Sequence, residues 1–123
     1  MTATDHAIEL VTTAARAGGE KKGEQIVAFD VSEQLAITDA FLIISASNER
    51  QVGAIVDAVE DALREVGAKP IRREGQRDGR WVLLDYGDIV VHVQHEEERA
   101  FYALERLWRD CPAITLPEDV TRS

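Results

Sequence analysis

The sequence predicts an α/β fold, a mixed five-stranded sheet with flanking helices in the order α-β-β-α-β-β-β-α. Three observations lead there. Apolar residues recur with helical period from Val52 to Val66, and Ala40 to Ser45 (AFLIIS) is a short uninterrupted apolar run. Between Pro70 and Val93, three strand-like segments are punctuated by turns rich in Gly and Asp. The long connection between the second and third strands implies a helical crossover, and the last three strands read as a meander.

The first helix is expected from about Thr4 to Ala17. Thr4 or Asp5 can cap it, and Ile8, Val11 and Ala15 share one face. Gly18-Gly19 is expected to stop it, leaving Glu20 to Glu24 as a charged, mobile connection. Gln25 to Asp30 (QIVAFD) reads as the first strand and Val31 to Asp39 as a loop. Ala40 to Ser45 is the second strand, and its unbroken apolar character implies burial on both faces. Asn48 with Gln51 three residues later suits a capping box. The helix it opens carries Val52, Ile55, Val56, Val59, Leu63 and Val66 as an apolar stripe, with Gly67 placed to end it. Glu60 and Arg64 are spaced for an i,i+4 pair on that helix.

Pro70 to Arg73 reads as a short strand near an edge, because proline lacks a donor. Asp78-Gly79, within Glu74 to Gly79, favours a two-residue hairpin connection to the fourth strand, Trp81 to Asp85 (WVLLD). Tyr86-Gly87-Asp88 is a second tight turn, followed by Ile89 to Val93 (IVVHV) as the fifth strand. A last helix is expected over about Glu96 to Asp110, with Phe101, Leu104, Trp108 and Cys111 on one face and Glu96 to Glu98 at its positive end. Pro112 ends it. One domain is thus expected over residues 1–110, with residues 111–123 as a loose, flexible tail.

The chain's 123 residues suit one domain, large enough to bury a real core without staples. The single cysteine, Cys111, leaves no internal disulfide and fits a reducing compartment. No apolar run is long enough to span a membrane, and Met1 to Leu10 lacks the basic-then-apolar order of a signal peptide, so the cytoplasm is the expected location. Fourteen basic residues stand against 23 acidic ones, a net charge of −9. Such a chain is repelled by phosphate backbones and drawn to a basic protein, so little direct nucleic-acid contact is expected.

The most enzyme-like constellation is Asp85, Asp88, His92 and His95, carboxylates and imidazoles of the kind that bind metals or exchange protons. Its spacing argues for structure instead. His92 and His95 are three apart near a strand end and so face opposite ways, while Asp85 and Asp88 flank a turn whose backbone they can bond. Ser45 and Ser47 have no nucleophile elbow, and the usual phosphate loops are absent. Cys111 falls on the apolar spacing of its helix, and Thr38-Asp39 fits a turn better than a catalytic pair. Arg72, Arg73, Arg77 and Arg80, interleaved with Glu74 and Asp78, read as a solvated hairpin tip. Trp81, opening a strand right after that tip, divides evenly between core residue and interface anchor. No catalytic, cofactor or metal site follows from these residues.

Read in order, Ile37-Thr38-Asp39, Ser45, Ser47, Arg50-Gln51, Glu74-Gly75, Trp81 and Asp85 to His92 (DYGDIVVH) form a distinctive series. It continues with Arg99, Tyr102, Leu104-Glu105 and Leu107-Trp108, and the whole resembles the ribosomal silencing factor (RsfS, Iojap-related) family across about Asp5 to Trp108. The resemblance implies a nucleotidyltransferase-like sheet without the catalytic motif, hence not an enzyme and without a cofactor. It implies a factor that binds a large-subunit ribosomal protein (L14 type), blocks association of the ribosomal subunits and represses translation when nutrients are scarce. It further implies a part in ribosome biogenesis and a homodimer when free. The contact surface it implies comprises Trp81, Asp85, Tyr86 and Asp88, with Tyr86 standing where other members often carry an aliphatic residue. The rival reading is a metal- or nucleotide-dependent nucleotidyltransferase-like enzyme using Asp39, Asp85, Asp88 and His92.

Overall fold

A computed structural model describes residues 2–121. The elements follow the expected order: α1 (Asp5–Glu20), β1 (Glu24–Asp30), β2 (Ala40–Ala46), α2 (Glu49–Glu65), β3 (Arg72–Glu74), β4 (Trp81–Asp85) and β5 (Ile89–His95). Three short helices close the chain, α3 (Glu96–Tyr102), α4 (Leu104–Leu107) and α5 (Glu118–Thr121). The strands form one sheet in the order β1-β2-β5-β4-β3. β2 and β5 run parallel at its centre, and the other pairings are antiparallel. This is the mixed five-stranded α/β sheet that the pattern predicts. β2 and β5 are buried along their whole lengths, as central strands covered on both faces must be.

Helices α1 and α2 cover one face. Leu10, Val11, Val52, Ile55 and Val59 meet Leu42, Ile44, Leu84 and Val91 there in a continuous aliphatic core. Both helices carry the expected caps: Thr4 Oγ1 accepts from the Ala7 amide at 3.1 Å, and Asn48 Oδ1 accepts from the Gln51 amide at 2.8 Å. The Gln51 side chain reaches back to the Ser47 amide rather than to that of Asn48, one residue further than a capping box requires.

Several expectations about local structure are corrected. Gly18-Gly19 does not stop α1, which runs on to Glu20. A Cβ on Gly18 would sit 2.7 Å from Ile44 Cδ1, so this glycine serves close approach of helix to sheet. The connection that follows is held, not mobile: the Gly23 amide bonds Gly18 O, and Gln51 Nε2 bonds the carbonyls of Lys21 and Lys22. The β3–β4 connection is not a two-residue hairpin at Asp78-Gly79. It spans residues 75–80, with the Gly79 amide on Gly75 O and both glycines at positive φ. Arg64 pairs with Asp61, not Glu60, which binds Arg73 across to the sheet.

The C-terminal region is corrected as well. The expected helix over Glu96 to Asp110 is broken at Ala103, whose left-handed backbone (φ 45°) separates α3 from α4. Phe101 therefore leaves the stripe it was expected to share with Leu104, Trp108 and Cys111, and is 81% exposed. Residues 111–121, expected to trail loosely, pack against the domain. The Asp30 amide bonds Pro112 O, the Ile114 amide bonds Ala28 O, and Leu116 and Val120 join the core beside α1. Burial of those two apolar side chains outweighs the polar composition that suggested a tail. Arg122 and Ser123, also counted in that tail, lie outside the described residues.

Candidate functional site

Strand alternation divides the meander's side chains between the two faces of the sheet. Val82, Leu84 and Tyr86 point to the α1/α2 face, and Trp81, Leu83 and Asp85 to the other. Cross-strand register places Gln94 beside Trp81, and His92 beside both Leu83 and Ile43. This second face is unlike the first. It buries Ser45, His92, Gln94 and Arg99 and carries a set of aromatic rings.

The rings form a continuous row from solvent into the sheet. Phe101 contacts Tyr102 (centroids 5.0 Å apart), and Tyr102 contacts Trp81 (4.8 Å). Trp81 contacts His92 (6.0 Å), and beyond it Phe41 touches both His92 (5.2 Å) and Trp108 (5.0 Å). At its outer end the row is wet, with Phe101 exposed and Tyr102 47% exposed. At its inner end His92 is 6% exposed. Trp81 is the half-buried joint between them. Its indole Nε1 donates to His92 Nδ1 at 3.2 Å, so the even division between core and interface resolves into a residue with a fixed inner edge and an accessible ring. A shallow cavity of about 320 Å³ borders it, lined by Glu74, Gly75, Trp81 and Leu83.

Burial sets the electrostatics of this face. Desolvation pushes the His92 imidazole down to about 4, so it is neutral at pH 7 and Nδ1 is free to accept. Its Nε2 and both amide atoms of Gln94 make no hydrogen bond among the described residues. Arg99, 4% exposed, is held by the Glu105 carboxylate at 3.2 Å and donates to Ser45 Oγ at 2.8 Å. Just before Trp81, the Arg80 guanidinium binds Glu97 (2.7 Å), Glu98 (3.0 Å) and Glu49 (2.9 Å), and those carboxylates hold its proton more tightly than usual. With the His95 amide on Arg80 O, this ties the start of β4 to the N-terminal ends of α2 and α3.

The remaining expected site residues separate. Asp85 accepts from the Gly87 amide at 2.8 Å and faces Arg72 at 3.6 Å, the turn role its spacing suggests. Asp88 is exposed, 4.0 Å from His6, with its carbonyl bonded to the Asp39 amide. Tyr86 is corrected as a surface contact. Only 8% exposed, it lies in the aliphatic core beneath α2, where burial pushes its phenol up to about 12, helped by nearby Glu60. Parity is the reason: five residues after Trp81 on an extended chain, it must face the other way.

Residues of the catalytic rival are engaged in structural bonds. His92 points to the aromatic face, whereas His95 caps α3 by accepting from the Glu97 amide. Asp39 Oδ2 accepts from the Thr4 amide, and the Cys111 thiol is buried, which raises its pKa. Among the described residues, no group of three His, Cys, Asp or Glu is placed to hold a metal. Three of the four hairpin arginines, Arg72, Arg73 and Arg80, are already paired with carboxylates, as a solvated charged tip requires.

Sequence reasoning missed Phe101 and Tyr102 as surface residues. The helical spacing of Phe101 argued for core, Tyr102 was not placed on either face, and no glycine or asparagine at position 103 announced the left-handed break between α3 and α4.

Comparison with known proteins agrees with this architecture. The family model described as "Ribosomal silencing factor during starvation" matches residues 4–123. A ribosomal silencing factor from Halalkalibacterium halodurans is 44% identical over 108 residues, which cover 88% of this chain and 92% of the relative. A crystal structure from Chromobacterium violaceum, 34% identical, superposes with a TM-score of 0.79 over 82% of this chain and 84% of that one. More distantly, a mouse protein named for mitochondrial assembly of the large ribosomal subunit is 27% identical over 112 residues, covering 81% of this chain and 49% of its own. The chain belongs to the ribosomal silencing factor family.

Proposed function

We propose that this chain represses translation by docking, through the sheet face centred on Trp81, onto a basic large-subunit ribosomal protein of the L14 type. Seated there it blocks joining of the small subunit when nutrients are scarce. The block is steric and requires no bond to be made or broken. The observation that carries the reading is the half-exposed row Phe101–Tyr102–Trp81 on an acidic domain. Large, rigid rings supply contact area at small entropic cost, and Trp and Tyr dominate binding energy at interfaces. Net charge −9 attracts a basic protein and opposes adhesion to bare RNA, which favours the intended site over the surrounding ribosomal RNA.

Within this proposal Trp81 is the anchor. Exposed Asp88 meets basic side chains beyond the far end of β4, and Asp85 holds the turn that presents Asp88. Tyr86 supports the strand from beneath. The mouse relative's name points to the large subunit as the proposed partner. An exposed apolar row on a free chain favours burial against a second copy, so the proposed free state is a homodimer. Among the described residues, no helix is long and apolar enough to cross a membrane, which accords with the proposed cytoplasmic site of action.

Co-sedimentation with separated ribosomal subunits tests the reading. The chain is expected to pellet with the large subunit alone and to inhibit subunit joining. Trp81→Ala is expected to weaken binding to the isolated ribosomal protein by about 2 kcal/mol or more, some thirtyfold, while the fold is kept. Binding is also expected to weaken as salt rises. Normal binding by the Trp81 variant would move the interface elsewhere.

A further inference from the structure

We propose that His92 is a positioning residue for docking: its Nδ1 accepts the Trp81 indole N–H and sets the ring in the orientation that the partner meets. The inference deepens the docking reading above and rests on it. The indole N–H is committed inward, so the partner meets Trp81 by packing on the ring and not by a hydrogen bond to its nitrogen.

The geometry supports a fixed anchor. A half-buried tryptophan with a free N–H samples several rotamers, and ordering it on binding costs affinity. Here the N–H is held at 3.2 Å by a group that cannot itself move far. His92 sits on central β5, flanked by β2 and β4, with the Phe41 ring edge-on at 5.2 Å. Tyr102 also packs on Trp81, with ring centroids 4.8 Å apart.

The imidazole is also a costly choice for packing alone. With Nδ1 accepting, the proton resides on Nε2, which is buried and makes no hydrogen bond among the described residues. An aliphatic side chain of similar volume would fill the site without that desolvation penalty. What a leucine could not supply is the acceptor for the indole.

Two variants separate the acceptor from the volume. His92→Leu removes it, while His92→Asn keeps an oxygen close to the Nδ1 position. Each is titrated against the isolated L14-type ribosomal protein, and exchange of the indole N–H with deuterium is followed by NMR. The Trp108 signal is told apart with Trp81→Phe. In the unaltered chain the Trp81 indole proton is expected to be protected from exchange. His92→Leu should expose it and weaken binding about three- to tenfold, the worth of one neutral hydrogen bond. His92→Asn should keep both properties within about twofold.

Unchanged affinity in His92→Leu, with the indole proton exposed and Trp81→Ala still defective, would overturn the positioning role and leave the docking reading standing. Normal binding by Trp81→Ala would overturn the docking reading and the positioning role with it. Should His92→Leu fail to fold, the unaltered chain decides: an indole proton exchanging at the solvent rate shows that the bond is not made.

Discussion

The two faces of the sheet are built on opposite principles. Under α1 and α2, aliphatic side chains such as Leu42, Ile44, Ile55 and Leu84 close over one another with no solvent exposure. On the other face the same strands bury Ser45, His92 and Gln94 and end in rings that reach water. Burying polar atoms without partners weakens a fold, and an exposed aromatic row gains nothing from folding alone. The contrast teaches that the aliphatic face carries the stability, and it is to the aromatic face that the proposal assigns contact.

Substitutions that act on one face and not the other test this division. The largest expected effect is on the aliphatic side. Ile55→Ala keeps a good helix former in α2 but empties fully buried volume, and should destabilise by about 2–5 kcal/mol in urea titration. Docking by the molecules that remain folded should be unchanged. A loss of affinity at full folding would show that the two faces are coupled.

Next comes the acid sensitivity of the aromatic side. Burial lowers the pKa of His92 in the folded chain to about 4, whereas the unfolded chain takes up its proton near the ordinary 6.5. Its neutral form thus favours folding fully above pH 6.5, and this contribution is lost as pH falls from there toward 4. At about 1.4 kcal/mol per pH unit the loss approaches about 3 kcal/mol. Urea titrations at pH 7, 6 and 5 should show the decline in the unaltered chain and a flatter profile in His92→Asn. Parallel profiles would place the acid sensitivity in other groups.

The smallest effect is expected at Tyr86, which the resemblance places at the interface and the structure places in the core. Its hydroxyl is buried and makes no hydrogen bond among the described residues. Tyr86→Phe should therefore change stability by no more than about 1 kcal/mol, with either sign allowed and stabilisation favoured. Affinity for the ribosomal protein should not move. A binding defect at full stability would return Tyr86 to the contact surface.

Much of the fold was legible because burial writes itself into spacing. The unbroken run at Ala40 to Ser45 announced a central strand, and the stripe from Val52 to Leu63 announced its covering helix. The separation of His92 from His95 followed from parity, and the turn role of Asp85 from its place beside Tyr86-Gly87. Parity also placed Tyr86 opposite Trp81, a signal present in the spacing but outweighed by the aromatic pair's position at the strand ends. Gly18 misled because a glycine needed for close packing against Ile44 reads the same as one that ends a helix. The segment after Pro112 misled because two buried apolar side chains, Leu116 and Val120, anchor an otherwise polar stretch.

By itself, the sequence determined the element order through the fifth strand, the central strands, the cap at Asn48, and the acidic balance. All of these depend on local geometry or on summed charge, which a linear pattern carries. Only the tertiary structure decided which aromatics reach the surface. Tyr102, the last residue of α3, packs on Trp81, and His92, diagonal to Trp81 across the β4–β5 pair, accepts its indole N–H. Those contacts join residues far apart along the chain, so no periodicity encodes them. Trp81, ambiguous as a letter, becomes a fixed, half-buried ring only when its neighbours arrive.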